Sequence, residues 1–179
     1  MSLVRTVPTA GISGPERAAI RRLLVEAFAG EFGDDDWDHA LGGLHFVVAD
    51  DGVPVAHAAV VQRRFLHEDR SWRGGYLEAV AVHPRWRGRG LAAAVLGEAE
   101  RVIDAAYDLG ALSASADGRG LYLARGWLPW QGPTYVLSPA GPARTEEDDD
   151  STFVRPVPAG ASLRRTGMLA CDWRDGDVW

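Results

Sequence analysis

Residues 76–96 read Y-L-E-A-V-A-V-H-P-R-W-R-G-R-G-L-A-A-A-V-L, and few folds accommodate such a stretch. Its first seven residues mix β-branched and aromatic side chains with a single charge, Glu78, which is the composition of a buried or half-buried strand. His83 and Pro84 end the ladder, because proline has no N–H to give it. Leu91, Val95, Ala99, Val102 and Ala106 then recur at helical spacing. The stretch therefore predicts a strand, a basic glycine-rich turn and an amphipathic helix. Gly88 and Gly90 permit positive φ and close backbone approach, and a helix opening there offers unpaired N–H groups and a dipole that favour an anion. Arg85, Arg87 and Arg89 add positive charge, so the turn is a candidate phosphate site. It is neither a Walker loop nor a G-x-G-x-x-G dinucleotide fingerprint, and the chain contains no lysine.

The remainder of the chain brackets this unit with alternating elements. Residues 3–7 predict a first strand. Ser13-Gly14-Pro15-Glu16 is a capping-box pattern, and Ile20, Leu23, Leu24, Ala27 and Phe28 form an apolar helix face that stops at Gly30. Asp34–Leu41 predicts a short second helix with acids in its first turn. Two strands, 44–49 and 53–66, flank an Asp-Gly turn, and residues 67–75 are expected to be a turn region. After the central helix, a strand of small residues is expected at 111–116. A helix capped by Asp117 and ended by Gly126 follows, then strands at 134–137 and 152–157. Residues 139–150 are expected to be loop, and 168–179 an irregular tail. The fold class expected is α+β, with a central, mostly antiparallel sheet flanked by helices.

Composition narrows the functions. At 179 residues the chain suffices for one domain with a core, and no linker divides it. A net charge of −6 argues against a nucleic-acid partner. No apolar run approaches a membrane span and no signal peptide is read, so no membrane partner and a cytoplasmic location are expected. The lone Cys171 excludes a disulfide framework, and the five histidines show no metal spacing. The acids cluster at Glu31–Asp38, at Glu146–Asp150 and at Asp172–Asp177. Such runs are usually solvated loops, but three of them beside a basic phosphate turn suggest a polycationic second substrate.

Arg85, Gly88 and Gly90 fill the fixed positions of [QR]-x-x-G-x-[GA], and L-Y-x-x-x-G-W recurs at residues 121–127. With these two signatures the chain resembles the GNAT acetyltransferase superfamily. The segments A-F-A-G-E-F, D-W-D-H-A-L-G-G, G-Y-L-E-A-V-A-V, R-G-W-L-P-W-Q-G-P-T and C-D-W-R-D-G-D-V-W narrow the resemblance to the aminoglycoside 2′-N-acetyltransferases. That resemblance implies a single GNAT domain over residues 1–179, a splayed central sheet, acetyl-CoA as cofactor, no metal and a homodimer. It places coenzyme contacts on the Val80, Ala81 and Val82 backbone and on Arg87, Gly88, Arg89, Gly90, Leu91 and Ala92. It makes Glu78 the catalytic base and Tyr122 the acid beside the coenzyme sulfur. Substrate contacts fall on Glu31, Glu78, Ala79, Ser113, Glu147, Asp148, Asp177 and Trp179, the last in a tail (168–179) that closes over the sugar rings, where the Trp173 and Trp179 rings are expected to lie. Glu31 stands where some members have aspartate.

In that mechanism the acceptor amine must be neutral when it attacks. The thioester carbonyl must be polarised, by an N–H near Val80, and the leaving thiolate protonated. A glutamate is a weak base for an ammonium, so burial or a water relay would assist Glu78. Two other readings stand beside this one. One is a GNAT enzyme acting on another amine, such as a polyamine or cell-wall amino sugar. The other is a non-catalytic acyl-CoA-binding sensor, which the retention of Glu78 and Tyr122 argues against.

Overall fold

The computed structural model describes residues 4–158 and 162–179. Among the described residues there are ten strands: β1 (Arg5–Pro8), β2 (Leu44–Asp50), β3 (Val53–His67), β4 (Arg70–Val82), β5 (Leu109–Ser113), β6 (Leu128–Pro129), β7 (Thr134–Ser138), β8 (Gly141–Arg144), β9 (Thr152–Pro156) and β10 (Leu169–Asp172). Four α-helices accompany them: α1 (Gly14–Ala27), α2 (Asp34–His39), α3 (Leu91–Ala106) and α4 (Arg119–Ala124). Leu3, the start of the expected first strand, lies outside the described residues. The chain forms two compact units, one running up to Val61 and taking in Leu77–Val102, the other Gln62–Tyr76 and Ile103–Trp179.

In the first unit β1, β2 and the opening half of β3 pair antiparallel. The Ser13 hydroxyl caps α1 by accepting the Glu16 N–H at 3.3 Å. The reciprocal half of the expected capping box is replaced, since the Glu16 carboxylate pairs with Arg5. Gly30, at φ 90°, closes the helix by donating to the Val25 carbonyl at 2.8 Å. Ile20, Leu23 and Leu24 are buried as the periodicity predicts, whereas Phe28 is 38% exposed and stacks on Phe32. Val7, Ile12, Ile20, Leu24, Phe32, Val47 and Ala81 form one apolar core, and Ala79 packs against it.

In the second unit the strand order is β6-β9-β5-β4-β3-β10-β7-β8. Here five expectations are corrected. Residues 67–75 are not a turn region, because β4 starts at Arg70 after a tight hairpin with Glu68 and Asp69 at φ 50° and 57°. Gly74 and Gly75 lie inside the strand as space-makers: a Cβ would stand 2.2 Å from the Phe65 ring at Gly74, and 2.8 Å from Tyr107 at Gly75. Residues 139–150 are not all loop, since they hold β8 and a 3₁₀ turn at Glu146–Asp148. Pro142 is tolerated in β8 because β8 is an edge strand. The tail contains β10, antiparallel to β3 and parallel to β7. The small-residue strand is displaced to Leu109–Ser113, and Asp117 does not cap α4; the Ser115 carbonyl instead accepts the N–H groups of Gly118 and Arg119.

The ladder between β4 and β5 is parallel and covers three pairs, from Gly74–Leu109 to Tyr76–Ala111. Beyond Tyr76, β4 continues to Val82 without a β5 partner in that ladder.

Candidate active site

In the first unit Glu78, Ala79, Val80 and Val82 are half-buried and Ala81 is buried. Ala79 has φ 49°. Of the five non-glycine residues with positive φ among those described, Ala79 is the one inside a strand; the others sit at a helix end or in hairpin turns. The backbone is therefore turned at the residue next to the proposed base.

Six residues on, the chain enters the basic turn. His83 Nδ1 accepts the Arg85 N–H at 3.2 Å, and the His83 carbonyl accepts the Trp86 N–H at 2.8 Å, which folds Pro84–Trp86 into a 3₁₀ turn. Gly88 and Gly90 both have φ 76°, and a Cβ at either would face open space. The Gly90 carbonyl accepts the Ala94 N–H at 3.0 Å, so α3 begins here and its first N–H groups lack helical partners. Two glycines that leave the backbone uncovered, at the start of a 16-residue helix, fit a diphosphate. The arginines divide their work. Arg87 donates to the carbonyls of Ala27 (3.2 Å) and Val82 (3.4 Å), bracing the turn against the end of α1, while Arg89 lies over the Trp86 ring at 4.5 Å. Glu31 is exposed just beyond α1.

The second unit gathers the remaining candidates. Tyr122 is buried on α4, edge-on to Trp127 with ring centroids 6.2 Å apart. Gly118 makes room for it, since a Cβ there would lie 3.2 Å from the tyrosine ring. The Ser113 hydroxyl, at the end of β5, donates to Ser151 Oγ at 3.0 Å, and the Ser151 hydroxyl donates to the Asp148 carbonyl at 3.2 Å. Ser113 is thereby joined to the acidic run. The acids of that run are not equivalent. Asp149 is structural: it accepts two bonds from Arg144, at 2.8 and 2.5 Å, and two from Thr134, and the Arg144 bonds hold it down at about 2. Asp148 is pushed up to about 6, first by burial and then by Glu147, Asp177 and Asp149. Like charges crowded this way set up a negative field that favours a cation.

The tail is built in rather than loose. Arg63, 4% exposed, donates to Asp172 Oδ1 (2.8 Å), the Asp172 carbonyl (2.7 Å) and the Val178 carbonyl (2.7 Å). The Trp179 indole is 4% exposed, stacks on Phe65 at 5.8 Å and donates to Thr145 Oγ1 at 3.0 Å. Its ring faces protein, and the ring left open is that of Trp173, 48% exposed. Cys171 is fully buried and pushed up to about 11 by burial, which suits packing rather than nucleophilic attack. Sequence reasoning missed Arg63, because a strand arginine gives no sign that it points inward at a segment more than a hundred residues away. It also missed the joint role of His45 and His57, whose rings bond each other at 2.9 Å.

The family model of the GNAT acetyltransferases matches residues 17–127, which include the turned strand, the glycine turn and α4. The chain belongs to the GNAT acetyltransferase family. It is 57% identical to the aminoglycoside 2′-N-acetyltransferase of Mycolicibacterium fortuitum over 98% of this chain and 91% of that one. The fold is shared with the GNAT N-acetyltransferase YhbS of Escherichia coli, solved in complex with CoA (TM-score 0.66, 17% identity, 94% of this chain and 88% of that one). It is also shared with a probable N-acyltransferase of Enterococcus faecalis (TM-score 0.60, 15% identity); the match covers 73% of this chain and 33% of that longer protein.

Proposed function

We infer that the protein is an aminoglycoside 2′-N-acetyltransferase, moving acetyl from acetyl-CoA to the 2′-amine of an aminoglycoside antibiotic by direct attack. The observation that carries this reading is the 57% identity to a protein of that activity along nearly the whole chain. It is supported by an open, positive-φ glycine turn at the start of α3 and by a crowded acidic cluster suited to a polyammonium ligand.

Acetyl-CoA supplies an acetyl group activated as a thioester. The backbone of Val80–Val82 and the turn from Arg87 to Ala92 hold the coenzyme. Glu78 takes the proton from the acceptor amine, directly or through water, and the Val80 N–H polarises the carbonyl under attack. Tyr122 gives its phenolic proton to the departing sulfur. Glu147, Asp148 and Asp177 bind the ammonium groups, Glu31, Ala79 and Ser113 add further contacts, and the tail, held in place by buried Trp179, walls the sugar site. No covalent enzyme intermediate is needed. The enzyme works in the cytoplasm as a homodimer, without a metal, and confers resistance where the antibiotic is present.

The test is a thiol-release assay with two matched acceptors, tobramycin, which carries a 2′-amine, and kanamycin A, which carries a 2′-hydroxyl. Turnover of tobramycin alone is expected. Turnover of both would move the acetylated position elsewhere, and turnover of neither would sink the antibiotic reading in favour of another amine or a coenzyme sensor.

A further inference from the structure

Behind the turned strand runs a line of hydrogen bonds within the first unit, buried at its two histidines. The Gly42 N–H donates to Thr9 Oγ1 at 2.9 Å. Thr9 Oγ1 lies 2.7 Å from His45 Nε2, and His45 Nδ1 lies 2.9 Å from His57 Nε2. His57 Nδ1 lies 2.8 Å from the Ala79 carbonyl oxygen. Both imidazoles are 0% exposed.

The last acceptor fixes every proton in the line. A carbonyl oxygen only accepts, so His57 Nδ1 carries a hydrogen. A neutral imidazole has one N–H, so His57 Nε2 is an acceptor and His45 Nδ1 must donate to it. His45 Nε2 then accepts, and the Thr9 hydroxyl donates to it. Both rings are neutral near pH 7, because burial lowers His45 to about 4 and His57 to about 3. The line therefore has one direction, from Gly42 to Ala79, and holds both histidines in the Nδ1–H tautomer, the less populated form of a free imidazole in water.

What this controls is a peptide plane. The bond between Ala79 and Val80 is trans, so its C=O and N–H point in opposite directions. Fixing the Ala79 carbonyl on buried His57 aims the Val80 N–H away from the histidines. It also holds Ala79 at a φ of 49°, which an L-residue in a strand rarely adopts.

We propose that His57, oriented by His45 and Thr9, is a positioning residue: through the Ala79 carbonyl it aims the Val80 N–H and sets the bearing of Glu78. The kinetic consequence rests on the acetyl-transfer reading above; the structural consequence does not.

The test compares His57→Leu, which removes the donor, with His57→Asn, whose amide can still reach the Ala79 carbonyl. In His57→Leu, kcat falls about tenfold while KM for acetyl-CoA moves less than about twofold, because the phosphate turn is separately braced by Arg87. His57→Asn recovers most of the loss. A folded His57→Leu enzyme with unchanged kcat, or an Asn variant no better than Leu, would overturn the proposal.

Nitrogen NMR of the unmutated protein gives an arm that needs neither variant nor activity. Nδ1–H on both rings and a through-bond N–N coupling between His45 Nδ1 and His57 Nε2 are expected. An Nε2–H tautomer on either ring would overturn the proposal. If the protein acetylates nothing, the Ala79 carbon shifts still decide: they report left-handed φ in the unmutated chain and lose that signature in His57→Leu.

Discussion

Acid should loosen this protein before any carboxylate of ordinary pKa titrates, and His45 and His57 set how much. Burial is the first cause of both shifts, bringing His45 down to about 4 and His57 to about 3 from 6.5; Arg17 also disfavours charge on His45, and His45 disfavours charge on His57. A histidine whose folded pKa is depressed stays neutral in the fold while its unfolded counterpart takes up a proton. Its stabilising contribution is thus full above 6.5 and is lost as pH falls from there toward 4 and 3. Between pH about 7.5 and about 5, each histidine loses about 2 kcal/mol whatever its folded value below 5, so the pair loses about 4 kcal/mol. That is a large part of the roughly 5–15 kcal/mol typical of a domain. Asp148 acts in the opposite sense in the same window, since its raised pKa makes the protonated form relatively favourable. The comparison must therefore be with a variant. Urea unfolding of the unmutated protein and of His45→Gln/His57→Gln, followed from pH about 7.5 to about 5, isolates the pair. Near pH 5.5 the unmutated protein should bind almost two more protons on unfolding than the variant, a steeper slope of about 2.5 kcal/mol per pH unit. Equal slopes would refute the buried neutral pair, however stable either protein is in absolute terms.

Other expectations concern the active site and its supports. Glu78→Gln should lower kcat for tobramycin by about 10²–10⁴-fold, the range for a lost general base, and an unchanged kcat in the thiol-release assay would remove that role. Because Asp148 sits at about 6, binding of a polycation near that pH should release protons and tighten as pH rises through it. Calorimetry in two buffers of different ionisation enthalpy reads this, and Asp148→Asn should abolish most of the release. Gly74→Ala drives a Cβ to 2.2 Å from the Phe65 ring and should cost about 1–3 kcal/mol in denaturant unfolding. Trp179→Ala empties a site that is 4% exposed and stacked on Phe65, and should cost about 3–5 kcal/mol in the same measurement.

The parts of the fold legible in the sequence are those set by local chemistry. Ser13 and Gly30 bound α1 because capping acts over one turn, and Asp51-Gly52 makes the β2–β3 hairpin because positive φ is needed there. The glycine turn before α3 is legible for the same reason, with its glycines and the helix start all within a few residues. What was misread depends on distant partners. Gly74 and Gly75 suggest a turn until Phe65, Ile103 and Tyr107 are seen to occupy the space their side chains would need. Leu169–Asp172 has no strand pattern of its own and becomes a strand by lying between β3 and β7. In the candidate site, the resemblance named Glu147 and Asp148 and left Asp149 out, and the structure adds the reason: Asp149 is held by Arg144 and Thr134, while Asp148 is crowded by other acids. The sequence shows for His45 and His57 only the absence of metal spacing, since nothing in a twelve-residue separation says that their rings meet.

The central claim is the position of transfer. The direct measurement is NMR of the product formed from tobramycin and acetyl-CoA carrying a ¹³C-labelled acetyl group. The account predicts one product, with the labelled carbonyl coupled to the 2′-amide and the 2′-proton shifted by amide formation. A label on any other amine of tobramycin would contradict it.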